Sequence, residues 1–152
     1  MYILERTQQL NCSIPEAWRF FSSPHNLSVI TPPEMKFVVL SKLRDGELYE
    51  GMTIDYKVSP LLNWPLSWRT VITHVIEQKS FIDFQQKGPY QYWEHFHEFT
   101  ANEEGVLMKD RIQYELPFGV LGSWMHRLVV RKKLHHIFDY RYKVLDKLFN
   151  KK

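Results

Sequence analysis

Residues 92–99, YWEHFHEF, set two histidines two positions apart among aromatics. Three chemistries fit His95 and His97. Side chains two apart on a strand project the same way, which suits metal ligation. Zinc or iron would need at least a third ligand, and His74, Asp83 or Asp110 could supply it. No spacing demands one, so neither a metal nor a cofactor is expected. In the second, an imidazole tuned by Asp83 or Asp110 could move a proton to or from a carbonyl or enol, with Tyr114 polarising the same oxygen. In the third, the histidines are hydrogen-bonded polar groups in a pocket or core. That third reading is taken first.

Strand parity selects the groups that could meet each other or a ligand. Trp93, His95, His97 and Phe99 share one face, and Tyr92, Glu94, Phe96 and Glu98 share the other. Two glutamates suit water better than two histidines flanked by Trp and Phe, so the first set faces inward. In LSWRTVITHV, Arg69 favours Trp68, Thr70, Ile72 and His74 as the inward set. In VLMKDRIQYEL, Lys109, Arg111, Gln113 and Glu115 face water, while Met108, Asp110, Ile112, Tyr114 and Leu116 face in. For SFIDFQQ, parity leaves Phe81, Asp83 and Gln85 and the set Ile82, Phe84 and Gln86 equally open.

The elements behind these residues follow from periodicity. Residues 2–10 read as a strand. Ser13 and Glu16 match a capping box, with Pro15 in the first helical turn. Ser23 and Pro24 start a second short helix, and TPPEM ends the pair. MTIDYKV alternates with period two, placing Met52, Ile54, Tyr56 and Val58 on one face. LSWRTVITHV, SFIDFQQ, YWEHFHEFT and VLMKDRIQYEL continue the strands, with KGPY as a turn. After PFGVLG the period changes. Leu134, Ile137, Phe138, Arg141, Leu145 and Leu148 fall at spacings of three and four, as one stripe of a helix over residues 122–149. Successive strands with short turns favour an antiparallel meander. One helix with one apolar stripe then packs on the sheet's concave face, an α+β arrangement of one domain over residues 1–152. Arg141 interrupts that stripe, and a buried charge needs a partner. Asp83 and Asp110 are both candidates across the gap.

Composition narrows the function classes. Hydrophobic residues make up 44% and aromatics 15% of the 152 residues, enough for a core and for the walls of an apolar pocket. Cys12 is the only cysteine, so no intramolecular disulfide and no cysteine-rich zinc pattern is possible. No GxSxG, HExxH, P-loop or dinucleotide fingerprint is present. MYILERTQQL lacks the apolar run of a signal peptide, and no stretch has the apolar length to cross a bilayer, so a cytoplasmic location is expected. The net charge of +3 is uneven: residues 121–152 carry nine Lys or Arg against two Asp. These charges fit the outer face of an amphipathic helix before they suggest nucleic acid or an anionic membrane.

The segments ITPPEMKF, FIDFQQKGPYQYWEHFHEF, MKDRIQYELPFG and IFDYR resemble bacterial ligand-binding proteins of the START and birch-pollen-allergen-like superfamily, also called SRPBCC. Some of these carry polyketide cyclase/dehydrase-like or cell-division-inhibitor-like labels. The resemblance runs over essentially the whole chain and is most specific from Phe81 to Phe99. It implies the helix-grip fold: about seven strongly curved antiparallel strands around one long C-terminal helix, with two short helices after the first strand. It also implies a hydrophobic cavity for an apolar or amphipathic molecule, and it selects Phe81, Asp83 and Gln85 as the inward set. No catalytic residue is shared across the superfamily, so none is carried over.

The first expectation is therefore a binding module without turnover, taking a small hydrophobic or amphipathic molecule, with no nucleic acid partner and no stable membrane insertion. Trp68, Trp93, Phe99, Tyr114 and Phe138 would be walls. His95, His97 and Gln85 would orient a polar head, with Thr70, Asp83, Asp110 and Arg141 also lining the cavity. The alternative is a cyclase, dehydratase or isomerase using His95 or His97 as general acid–base. A basic-helix binder of nucleic acid or membrane surface comes third.

Overall fold

The computed structural model describes residues 1–42, 48–59, 64–119 and 124–151. Seven strands form one antiparallel sheet: β1 (Tyr2–Leu10), β2 (Val38–Val39), β3 (Thr53–Val58), β4 (Leu66–Ile76), β5 (Ser80–Lys87), β6 (Tyr92–Asn102) and β7 (Gly105–Glu115). Their order is β1-β7-β6-β5-β4-β3-β2. The meander from β2 to β7 is thus closed on one side by the N-terminal strand. Two-residue β2 has no period to read and was not anticipated from the sequence.

The short helices α1 (Ile14–Phe21) and α2 (Pro24–Val29) follow β1. The capping box is formed: Ser13 N–H donates to Glu16 Oε2 at 2.8 Å, and Glu16 N–H donates to Ser13 Oγ at 3.4 Å. These bonds satisfy donors that the first helical turn leaves unpaired. TPPEM ends α2 as expected, but Pro33–Met35 also forms a single 3₁₀ turn.

The C-terminal helix α3 (Arg131–Leu145) is flanked by two wider π-type turns, His126–Val130 and Asp146–Asn150. The beginning expected at residues 122–123, and the end of the PFGVLG turn, lie outside the described residues. Leu134, Phe138, Arg141 and Leu145 form its buried stripe. Leu148, expected to extend the stripe, is exposed, and Phe149 packs on the core instead. The five-residue turn explains the change, because it delays the helical phase by one position. Side-chain bonds also hold α3 in place. Gln8 Nε2 donates to Tyr142 O at 2.9 Å, and His136 Nε2 contacts Glu34 Oε1 of the 3₁₀ turn at 2.6 Å.

At the β6–β7 turn, Gly105 has a φ of +123°. A Cβ there would collide with the Leu10 carbonyl, so the position requires glycine on both conformational and steric grounds. This close approach holds the end of β1 against the hairpin that carries both histidines.

The buried side chains form three clusters. Leu10, Phe99, Met108 and Leu145 belong to one, Leu4, Trp93, Ile112 and Phe138 to the second, and Met52, Ile54, Tyr56 and Ile72 to the third. A sheet and helix in full contact would give one continuous core. Here the three clusters border a common space.

Candidate ligand cavity and buried histidine–aspartate cluster

That space is a cavity of about 400 Å³, within the size range of small-molecule sites. Its sheet wall includes Ile54, Tyr56, Val58, Trp68, Thr70, Ile72, Phe81 and Trp93. Phe20, Phe21, Leu27, Ile30 and Met35 close one end, and Val130, Leu134, Ile137 and Phe138 form the helix wall. Exposed Phe118 and Met125 also border it. Alternation and burial explain the apolar lining. The inward face of β3 is apolar, while Asp55 on the outer face meets Arg69 of β4 at 2.8 Å.

The polar part of the wall comes from β5, β6 and α3. Asp83 lies opposite His95 in the β5–β6 ladder, and Asp110 lies opposite His97 in the β6–β7 ladder. Backbone pairing therefore delivers two carboxylates to the two imidazoles. His97 Nε2 is 2.8 Å from Asp83 Oδ2, and His95 Nε2 is 2.9 Å from Asp110 Oδ1. The other ring nitrogens face the opposite carboxylates. His95 Nδ1 is 3.5 Å from Asp83 Oδ2, and His97 Nδ1 is 3.0 Å from Asp110 Oδ1. The last contact is short but lies out of line for a hydrogen bond, so it acts through charge. The rings sit 3.8 Å apart between centroids, and Phe81 stacks on His97 at 4.2 Å.

Arg141 completes the cluster. Its Nη2 is 3.5 Å from Asp110 Oδ1, and the guanidinium lies over the rings of Phe21 and Phe138, 5.5 and 5.7 Å from their centroids. Of the two possible partners, Asp110 is thus in ion-pair contact. Arg141 Nε is buried without a hydrogen-bond partner.

Electrostatics divides the two histidines. Burial opposes the charge on each. For His97, the short contacts with the carboxylates of Asp110 and Asp83 outweigh burial and raise its pKa above the ordinary value. For His95, burial and then the neighbouring His97 charge prevail, and its pKa falls. Burial would raise Asp110, but Arg141 and the histidines hold it well below the usual carboxylate range. Asp83 is lowered for similar reasons, chiefly by the charge of His95 against its own desolvation. The cluster can hold a shared proton, and its members Asp83, His95 and His97 border the cavity. Oxygen and nitrogen atoms of Asp83, His95 and His97 lie within 4.8 Å of one another, the arrangement among the described residues that could hold a metal ion.

Of the twelve residues expected at the cavity, Trp68, Thr70, Asp83, Trp93, His95, His97, Phe138 and Arg141 line it. Four do not. Gln85 faces inward, but its amide closes the β5–β6 turn: Nε2 donates to Tyr90 O at 2.8 Å, and Tyr90 N–H donates to Oε1 at 3.3 Å. Phe99 sits beyond the cavity end, packed against Trp18, Phe21 and Phe81. Asp110 lies behind the imidazoles. The Tyr114 hydroxyl bonds His126 Nε2 at 2.8 Å, away from the cluster, so the oxygen-polarising role has no geometric basis.

His74 is also corrected as a possible third ligand. The β4–β5 register shifts between Ile72 and His74. This bulge turns His74 outward to Glu50, 3.5 Å away, and brings Val75 into the core. Phe21, Ile30, Tyr56 and Tyr90 were not anticipated at the cavity. Their apolar positions carry the same sequence signal whether they fill a core or line a hollow.

Helix, curved antiparallel sheet and intervening cavity together define a helix-grip protein of α+β class, the START-like fold. Solved structures bear this out. The chain is similar to the protein TTHA0849 from Thermus thermophilus, with a TM-score of 0.72, 14% identity, and coverage of 96% of this chain and 95% of that one. A START superfamily protein from Mycobacterium smegmatis aligns with a TM-score of 0.70 and 15% identity, over 97% of this chain and 99% of that one. CV1439 from Chromobacterium violaceum aligns with a TM-score of 0.71 and 10% identity, over 97% and 96%. At these identities the likeness is one of fold. The sequence matches no protein-family model, and no curated protein matches it. Among the described residues, no helix is long and apolar enough to cross a membrane.

Proposed function

We propose that this chain binds a small hydrophobic or amphipathic molecule in the cavity between the sheet and α3, as a carrier or sequestering domain in the cytoplasm. The observation that carries this reading is the cavity of about 400 Å³ with its almost wholly apolar wall. Removing a ligand's apolar surface from water contributes roughly 25 cal/mol per Å². A purely hydrocarbon ligand would leave the Arg141 Nε–H unpaired, a state costing about 1–3 kcal/mol. An oxygen-bearing head beside Arg141 and the histidines removes that cost, which favours an amphipathic molecule. The basic residues of α3 are read as its solvated face, without a nucleic acid partner.

A second reading rests on the paired imidazoles and carboxylates in the cavity wall. His97 could serve as general acid and Asp83 or His95 as proton acceptor for a bound carbonyl compound. Geometry permits this, and the binding step is common to both readings.

Gently purified protein should carry its ligand into native mass spectrometry. The expected spectrum shows one small adduct per chain, released by organic extraction into an apolar fraction. A bare chain that also takes up no added dodecanoic acid would reject the proposal.

A further inference from the structure

We propose that Asp83, His95 and His97 form a mononuclear site for a divalent first-row transition metal ion, opening onto the cavity. The inference does not depend on uptake of an apolar molecule. Donors at about 2.0–2.2 Å from one ion stand roughly 3 Å apart when adjacent in its coordination shell. Asp83 Oδ2 is 2.8 Å from His97 Nε2 and 3.5 Å from His95 Nδ1, so small movements admit an ion among them.

The outer nitrogens give an independent reason. Metal-bound histidines usually present the remaining ring N–H to a carboxylate or carbonyl, which fixes tautomer and ring orientation. Here His95 Nε2 and His97 Nδ1 approach the same oxygen, Asp110 Oδ1, at 2.9 and 3.0 Å. A slight turn of the His97 ring would bring its N–H into line. Asp110 is in turn held by Arg141 at 3.5 Å. The three inner donors border the cavity, whereas Asp110 does not. Ligands therefore face the hollow, and their support lies behind them.

Charge agrees with this division. An ion displaces any imidazole proton as it binds; with both rings then neutral, Asp110 is balanced by Arg141, and the carboxylate of Asp83 remains for the cation. Arg141 is the nearest fixed cation, but its ion-pair contact is on the Asp110 side. Two imidazoles and one carboxylate with open positions form a set used by iron(II), and also suit zinc and cobalt; calcium and magnesium prefer all-oxygen surroundings. Open positions toward an apolar hollow would let the ion meet an oxygen of a bound molecule.

The test uses the full, tag-free chain, stripped with chelator and titrated with Zn²⁺ by calorimetry and with Co²⁺ by visible absorption. One equivalent should bind. Asp83→Asn, nearly isosteric, should weaken binding by about 100-fold or more, and Asp110→Asn by about 10–100-fold. His135→Gln with His136→Gln, on the outer part of α3, should leave the metal affinity unchanged. Imidazole NMR of the unaltered protein covers the case of a misfolded variant: Zn²⁺ should move the ring signals of His95 and His97 and leave those of His74 and His136. Binding that Asp83→Asn leaves intact, no binding, or shifts confined to surface histidines would overturn the site. Dodecanoic acid uptake by the metal-free protein is read separately, so a failed metal site and a failed cavity are told apart.

Discussion

Asp110→Ala is expected to lower the unfolding free energy by about 3–5 kcal/mol, the usual cost of removing one partner from a buried ion pair. Asp110 and Arg141 are 4% and 5% exposed, so bulk water screens the pair only weakly. The substitution strands the guanidinium over Phe21 and Phe138 and takes a partner from each imidazole. Urea unfolding followed by circular dichroism should show a lower midpoint with an unchanged slope. Adding Arg141→Met should recover much of the loss, because the second change removes the uncompensated charge. A loss under about 1 kcal/mol would mean that Arg141 reaches solvent, outside the range for a buried pair.

Ile54→Trp should weaken uptake about 70-fold with little change in stability. Ile54 projects from β3 into the cavity, in the buried cluster that also holds Tyr56 and Ile72. An indole there extends from the buried cluster into the hollow and occupies space that a ligand would use. Displacing ligand contact over about 100 Å² removes about 2.5 kcal/mol, close to a 70-fold loss in affinity. Titration with dodecanoic acid gives the affinity, and a thermal melt gives the stability. Affinity within about threefold of the unaltered chain would place the ligand elsewhere, since threefold is well under 1 kcal/mol.

Both expectations concern positions that the sequence exposes to different degrees. In β7 each second residue from Val106 to Tyr114 is buried, and the clean polar alternation announces it. The inward histidines are equally readable, because Glu94 and Glu98 claim the other face. Parity reports which face a residue occupies, but not its depth along the strand or what its polar end meets. Gln85, Phe99 and Tyr114 all face inward and still fail to reach the cavity for that reason. Parity also assumes an unbroken ladder, and the bulge before His74 violates this without any glycine or proline to mark it. Leu148 fails on the helical side, because a wide turn leaves no trace in apolar spacing. The choice of Asp83 over the opposite face came from resemblance, and the backbone register then supplied what neither could: one carboxylate opposite each histidine.

The hollow itself is the least legible feature. Ile54, Tyr56, Ile72 and Leu134 would show the same pattern in a filled core, because hydrophobic patterning records removal from water and not the identity of what replaces it.

The most direct measurement is NMR of methyl-labelled protein with dodecanoic acid at one equivalent. Nuclear Overhauser contacts from the chain methylenes to Ile54, Ile72 and Leu134 together, across sheet and helix, are the predicted result. Contacts only to exposed side chains such as Leu107 or Leu128, or none at saturating acid, would contradict the account.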